Sequence, residues 1–337
     1  MATIYKPFLN DDVTSTRTLL HESIPVTGTI VSGTYGTFGS ESNIKNYSHG
    51  MFQSVYDYPY LSSSSNHIFD ITCGYSSDSP LNSASNSENA KKVAIYNQMA
   101  QVLAGHDESG SIRKFDADGD LSTGTKHEEV YFLNFSRLLA KDEIKKGTFS
   151  ITLMTGSTFD GPSGEFVTIS DTGADSSYKT NSPAGEYGLL KRGDDNVGLI
   201  YYQTGITALT ASLFGTSSMD LSGQKVNDIM SGSTIQSNAN ALRHRVSDIS
   251  FNNTTELNST IYFCRVNHNE YNYSANPTYT SGSRVRVKNN TIDNPVSYIT
   301  TVGLYSADNE LLATAKLSEP LKKDPTNEMI LRVRLDY

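Results

Sequence analysis

The chain has 337 residues, 36% of them hydrophobic, and a formal net charge of −9. That length allows a substantial core in one large or two medium domains, and the acidic balance disfavours non-specific nucleic-acid binding. Only 19% of residues are charged; Ser, Thr, Asn, Gly and 20 tyrosines take their place, and tryptophan is absent, a mix typical of extracellular or virion β-proteins.

In chain order, residues 1–36 read as an extended arm with one or two strands. The clearest is 24–31, broken by Gly33 and Gly36. Residues 44–75 are rich in aromatics. Pro59 bars 56–61 from a central strand, and a strand is expected over 67–73. The best helix covers about 88–104, with Ser87 or Asn86 as cap and Gly105 as stop. Its apolar face is Val93, Tyr96, Ala100 and Leu103. Strands follow at 130–135 and 147–154, joined by a short charged helical connection at 137–146. Another strand, 166–170, lies in the polar stretch 155–185. A hairpin joins 187–190 to 197–202, and an apolar run continues at 206–214. Residues 217–247 carry two short helical stripes separated by Gly232: Val226, Ile229 and Met230, then Ile235, Ala239, Leu242 and Val246. Strands are expected at 248–251, 260–266 and 285–288.

The C-terminal stretch has the strongest β signal. A hairpin joins 297–305 to 310–317 across Ser306-Ala-Asp-Asn309. The last segment, 329–337, alternates at the period of a strand. Ile330, Arg332 and Arg334 face one way, while Leu331, Val333 and Leu335 are expected to be buried. The sum is a mainly β chain with two helical insertions, an antiparallel β-sandwich or distorted barrel. Four segments suggest themselves within one or two compact domains. They are an arm plus β/helix region (1–128), a central β region (129–216), a helical insertion (217–247) and a C-terminal β region (248–337).

Motifs for catalysis are absent. The seven histidines show no metal-ligand spacing, and there is no Gly-x-Ser-x-Gly elbow, phosphate loop or dinucleotide fingerprint. The expectation is a protein that is not an enzyme and has no cofactor. Asp116, Asp118 and Asp120 alternate like the start of a calcium loop, but Gly119 is fourth and His127 twelfth where the EF-hand needs Gly sixth and Glu twelfth. They form either a solvated acidic turn or a site for Ca²⁺ or Mg²⁺. Cys73 and Cys264 lie in apolar runs, as two buried thiols or as a disulfide. Two aromatic clusters stand out, Tyr56, Tyr58 and Tyr60, and Tyr271, Tyr273 and Tyr279. Each is either a subunit interface or a loop packed on its own sheet. The N-terminus lacks the apolar segment of a signal peptide, and no run approaches the ~18 apolar residues of a membrane helix, so a chain with no membrane span is expected.

Several phrases carry a resemblance. They are Asn272-Tyr-Ser-Ala-Asn-Pro277, Tyr298-Ile-Thr-Thr-Val-Gly-Leu-Tyr305, the run from Glu310 to Lys322, and Arg332-Val-Arg-Leu-Asp-Tyr337. Residues 27–35 and 49–62 have the same flavour. The chain resembles virion structural proteins of T4-like contractile-tailed phages, those of cyanobacterial and marine hosts above all. The phrase Ile299-Thr-Thr-Val-Gly-Leu-Tyr, a turn, then Leu311-Leu-Ala-Thr-Ala is similar to a hairpin of baseplate-attached tail-fibre proteins, with Asn309 where those often have Gly. The resemblance implies a homo-oligomeric structural component of the virion tail, at the baseplate, with other virion proteins and copies of itself as partners. A neck, capsid-vertex or decoration protein, a receptor- or glycan-binding adhesin, and a hydrolase are the alternatives.

Overall fold

Runs rich in Val, Ile, Leu, Phe and Tyr, bounded by glycines and polar turns, form the strands. The computed structural model describes residues 5–25, 43–56, 66–121, 123–154, 166–214, 230–272, 280–281, 284–285, 292 and 294–337. The principal strands are β1 (Val13–Pro25), β2 (Ile44–Asn46), β3 (Gln53–Tyr56), β4 (His67–Tyr75), β5 (Glu129–Phe135), β6 (Ser150–Met154), β7 (Phe166–Ser170), β8 (Gly185–Arg192), β9 (Asp195–Tyr201), β10 (Ile206–Thr210), β11 (Val246–Val266), β12 (Ser297–Tyr305), β13 (Leu311–Lys323) and β14 (Met329–Asp336). The two longest helices among the described residues are α1 (Asn89–Leu103) and α2 (Ile235–Arg243). The chain is mainly β, with sandwich-like antiparallel architecture, and the described strands close no barrel. Its contacts divide it into two units, residues 20–255 and residues 1–19 with 256–337.

The unit of 20–255 holds an antiparallel sheet in the order β11-β6-β7-β8-β9-β10-β5-β4-β3-β2. Every strand expected between 67 and 210 is present. The strand expected at 24–31 begins earlier, as β1, and 26–31 lies outside the described residues. Segments 248–251 and 260–266, expected as separate strands, are parts of one strand, β11. The connection at 137–146 is a single helical turn, Arg137–Ala140, and then a short strand, Glu143–Ile144.

Alternate residues of the sheet point into a core that includes Phe69, Ile71, Tyr131, Leu133, Ile151, Leu199 and Leu209, all fully buried. Phe135 packs against Phe69, Phe149 and Phe251 at centroid distances of 5.9, 5.8 and 5.3 Å.

Helix α1 rests on β4, and Gly74 shows why the contact is so close. A Cβ there would lie 2.5 Å from the Lys92 carbonyl oxygen and 2.9 Å from the Tyr96 nitrogen. Tyr96, Ala100 and Leu103 are buried as the spacing predicts, but so is Lys92. Gly105, at φ +80°, ends the helix by donating its N–H to the Ala100 carbonyl. No side chain caps its start; Glu88 stands there at φ +53° instead of Ser87 or Asn86. The Glu88 carboxylate accepts from Lys91 at 2.7 Å and from the first N–H of α2, that of Ile235, at 2.8 Å. Thr234 caps α2 through Ser237. Val246, expected on a helical stripe, starts β11 instead; Val226 and Ile229 lie outside the described residues.

In the unit of 1–19 and 256–337, β11 pairs with β14 from Ser259↔Asp336 to Val266↔Met329. Asn309, at φ +64°, makes the tight corner between β12 and β13, a conformation asparagine tolerates. Strand β13 runs past Pro320 to Lys323, well beyond the expected 317. The register steps from Thr301↔Lys316 to Ile299↔Leu321, so Pro320 sits in a bulge of an edge strand, where no ladder bond is lost. Strand β14 alternates as its sequence indicates. Val333 alone is buried; Leu331 and Leu335 are only half-buried, because little of this unit covers them. Deleting 329–337 strips the ladder partner from 259–266. We expect the truncated protein to show new ANS binding and to aggregate; unchanged elution and ANS signal would contradict the pairing.

Candidate interaction surface

Charge is partitioned sharply between the two units. Residues 1–19 and 256–337 hold eleven basic and eleven acidic side chains, whereas 20–255 holds sixteen and twenty-five, so the whole −9 belongs to the latter. Burial is partitioned the same way. The main core cluster lies entirely within 20–255. Among the described residues of the neutral unit, only Val266, Val296, Leu304 and Val333 are buried apolar residues. Fifteen of the twenty-one exposed large apolar side chains among the described residues belong to it, including Leu312 at 68%, Ile330 at 62% and Leu9 at 61%. A neutral surface with that many uncovered apolar side chains is the kind that associates with another protein.

Within this unit the N-terminal arm lies against β11 and β12. Tyr5 meets Tyr305 edge-on at 4.9 Å, and Phe8 meets Tyr262 at 5.4 Å. Lys6 pairs with Glu270, and Arg265 with Asp12 at 2.7 Å. The Leu9 N–H and the Arg265 guanidinium hold the Asp12 carboxyl below its ordinary value. A cleft of about 760 Å³ opens between Phe8, Cys264, Val302, Leu304 and Leu331. Its charged groups are thus already paired, and its free surface mixes apolar side chains with uncharged polar ones such as Thr300 and Thr301.

Tyr271 is 43% exposed and has φ +53°, a strained backbone for an aromatic residue. Its carbonyl accepts from the Ser297 hydroxyl. Next to it, Lys323 at the end of β13 is fully buried. Its Nζ donates to Asn272 Oδ1 at 2.7 Å, to the Asp324 carbonyl at 2.8 Å and to the His268 carbonyl at 3.1 Å. This lysine therefore fixes the loop that presents Tyr271. Tyr56 is in the other unit, half-buried at the end of β3, 5.4 Å from the His67 ring, and burial raises its phenol pKa. Tyr58, Tyr60, Tyr273 and Tyr279 lie outside the described residues.

The structure brings Asp116, Asp118 and Asp120 together, with carboxylate oxygens within 4.8 Å of one another. Asp116 is fully buried, and burial raises its pKa, yet the Lys126 ammonium sits 2.5 Å from its Oδ2. Asp116 Oδ1 also accepts the Asp118 N–H, and Asp118 Oδ1 the Asp120 N–H. Asp120 accepts from both the N–H and the hydroxyl of Thr123. The cluster can offer oxygens to a hard cation, but part of its charge is already answered by lysine. Cys73 and Cys264 are both free; burial pushes the Cys73 thiol up to about 12, so it is protonated and unreactive.

No family model, curated protein or solved structure matches the chain. Among the described residues, no helix is long and apolar enough to cross a membrane.

Nothing in the local spacing of the arm marks Tyr5 and Phe8 as packing residues; their partners are more than 250 positions away. The charge partition can be counted from the residues once contacts have divided the chain into its two units.

Proposed function

We propose that this protein is a non-enzymatic structural subunit of a phage tail, seated at the baseplate in several copies, that joins its neighbours through the unit of 1–19 and 256–337. The observation that carries this reading is that unit's neutrality together with its uncovered apolar side chains. An acidic, well-cored unit stays soluble and self-repelling, while a neutral, thinly cored one gains by being covered. The phrases that resemble tail proteins fall largely in the same unit, from Asn272 to Tyr337. The virion is the expected location. The test is to locate the protein in purified particles by labelling and reconstruction of the tail. Signal at the baseplate is the expected result; signal on the head or neck, or no protein in the particle, overturns it.

A further inference from the structure

Among the described residues, β13 pairs only with β12, so its outer edge is a row of unpaired backbone groups. Folded proteins blunt such edges with lysine, proline and bulges. The distal half of β13 has all three: Lys316, Pro320, Lys322 and the bulge at 317–320. The proximal half, Leu311-Leu-Ala-Thr-Ala315, has neither lysine nor proline, only a one-residue bulge at Leu312 where the register steps from Leu304↔Ala313 to Tyr305↔Leu311, and Leu311 and Leu312 are 54% and 68% exposed. Just outside it stand Glu310 and Lys316. Both are exposed, and neither has an ion-pair partner among the described residues.

We infer that this edge is closed by the same edge of a second copy, the two β13 strands pairing antiparallel about a two-fold axis at Ala313. The segment Glu310-Leu-Leu-Ala-Thr-Ala-Lys316 is self-complementary in that one register. Glu310 falls opposite Lys316 of the second copy, Leu311 opposite its Ala315, Leu312 opposite its Thr314, and Ala313 opposite itself. In this register each end sets opposite charges against one another, and the large leucines meet small side chains. An isologous contact repeats every pair twice, so one charge pair closes both ends of the segment. The second copy also brings a neutral unit to a neutral unit, so no net charge repulsion acts across the contact itself. The alanine on the axis lets two strands approach without a side-chain clash.

This deepens the reading of the neutral unit as the docking unit, and its test is independent of where the protein sits in a particle. The full chain is examined by sedimentation equilibrium at low salt. A concentration-dependent dimer is expected. Glu310→Lys and Lys316→Glu each set like charges opposite one another at both ends, and each should weaken the dimer roughly tenfold. An equimolar mixture of the two variants should dimerise again, since every contact then pairs opposite charges. Both positions are exposed, and circular dichroism confirms folding. The register is read separately. In a Cys264→Ser background, Ala313→Cys should cross-link to itself on oxidation, and Leu312→Cys should not, because its counterpart is Thr314. A wild-type monomer, variants that dimerise like the parent, a mixture that stays monomeric, or cross-linking at 312 but not 313 each overturns the inference. Loss of the dimer in a protein that still localises to the tail would sink this contact and leave the proposed function standing; a dimer in a protein absent from particles would do the reverse.

Discussion

Replacing Lys92 by alanine should cost about 3–5 kcal/mol and lower the melting temperature by roughly 10 °C. Lys92 is fully buried, and its Nζ donates to the carbonyls of Met230 at 2.5 Å and of Ser87 and Ser233 at 2.7 Å each. Those bonds tie residues 230–233 to the start of α1, directly above the close approach of Lys92 to Gly74. Burial holds the ammonium pKa below the ordinary lysine value, while the Glu88 carboxylate pulls the other way. The alanine variant leaves three buried carbonyls without their donor and empties the space of the stem. Lys92→Met keeps most of the stem and loses only the ammonium, so comparing the two in urea separates packing from hydrogen bonding. A loss below about 1 kcal/mol for Lys92→Met would show that the carbonyls find other donors.

The second large effect is on pH dependence. His127 is 7% exposed, its Nε2 has no hydrogen-bond partner among the described residues, and burial drives its pKa down to about 4 from 6.5. Above pH 6.5 the imidazole is neutral in both folded and unfolded chains and adds no pH dependence. Between 6.5 and about 4 the unfolded chain takes up a proton that the folded chain does not, so stability falls as pH falls. The loss should approach about 3 kcal/mol near pH 4. His127→Leu removes an unpartnered buried nitrogen, should be near neutral at pH 7, and should flatten the slope between pH 6.5 and 4.5. Stabilised carboxylates such as Asp12 and Glu270 act lower, since their pKa values are depressed below the ordinary range. Urea unfolding of both proteins at pH 7 and pH 5 decides it. An equal slope in the variant would assign the acid sensitivity elsewhere.

Much of the local structure is legible in the residues. The strand from His67, the α1 face, the Gly105 stop and the hairpin across Ser306–Asn309 follow from period, propensity and turn chemistry, all of which act within a few positions. What escapes local reading depends on distant partners. Strand β11 looks like two strands because its middle, Thr254-Thr-Glu-Leu-Asn258, is polar, and only pairing on either side of it keeps the chain extended. Lys92 reads as a surface lysine on a helix, and its burial is set by carbonyls up to 141 positions away. Leu331 and Leu335 have the pattern of core residues, but a pattern says which face is apolar and not whether anything covers it.

The sequence alone determined the β-rich class and the positions of most strands and of the better helix, because these depend on neighbouring side chains; the charge split could be counted only once contacts had divided the chain into its two units. Only the tertiary structure decided that the split coincides with a split in packing, with the core on the acidic side and the uncovered apolar surface on the neutral side. Burial is a property of who lies opposite whom, and that is fixed by contacts between residues far apart in the chain.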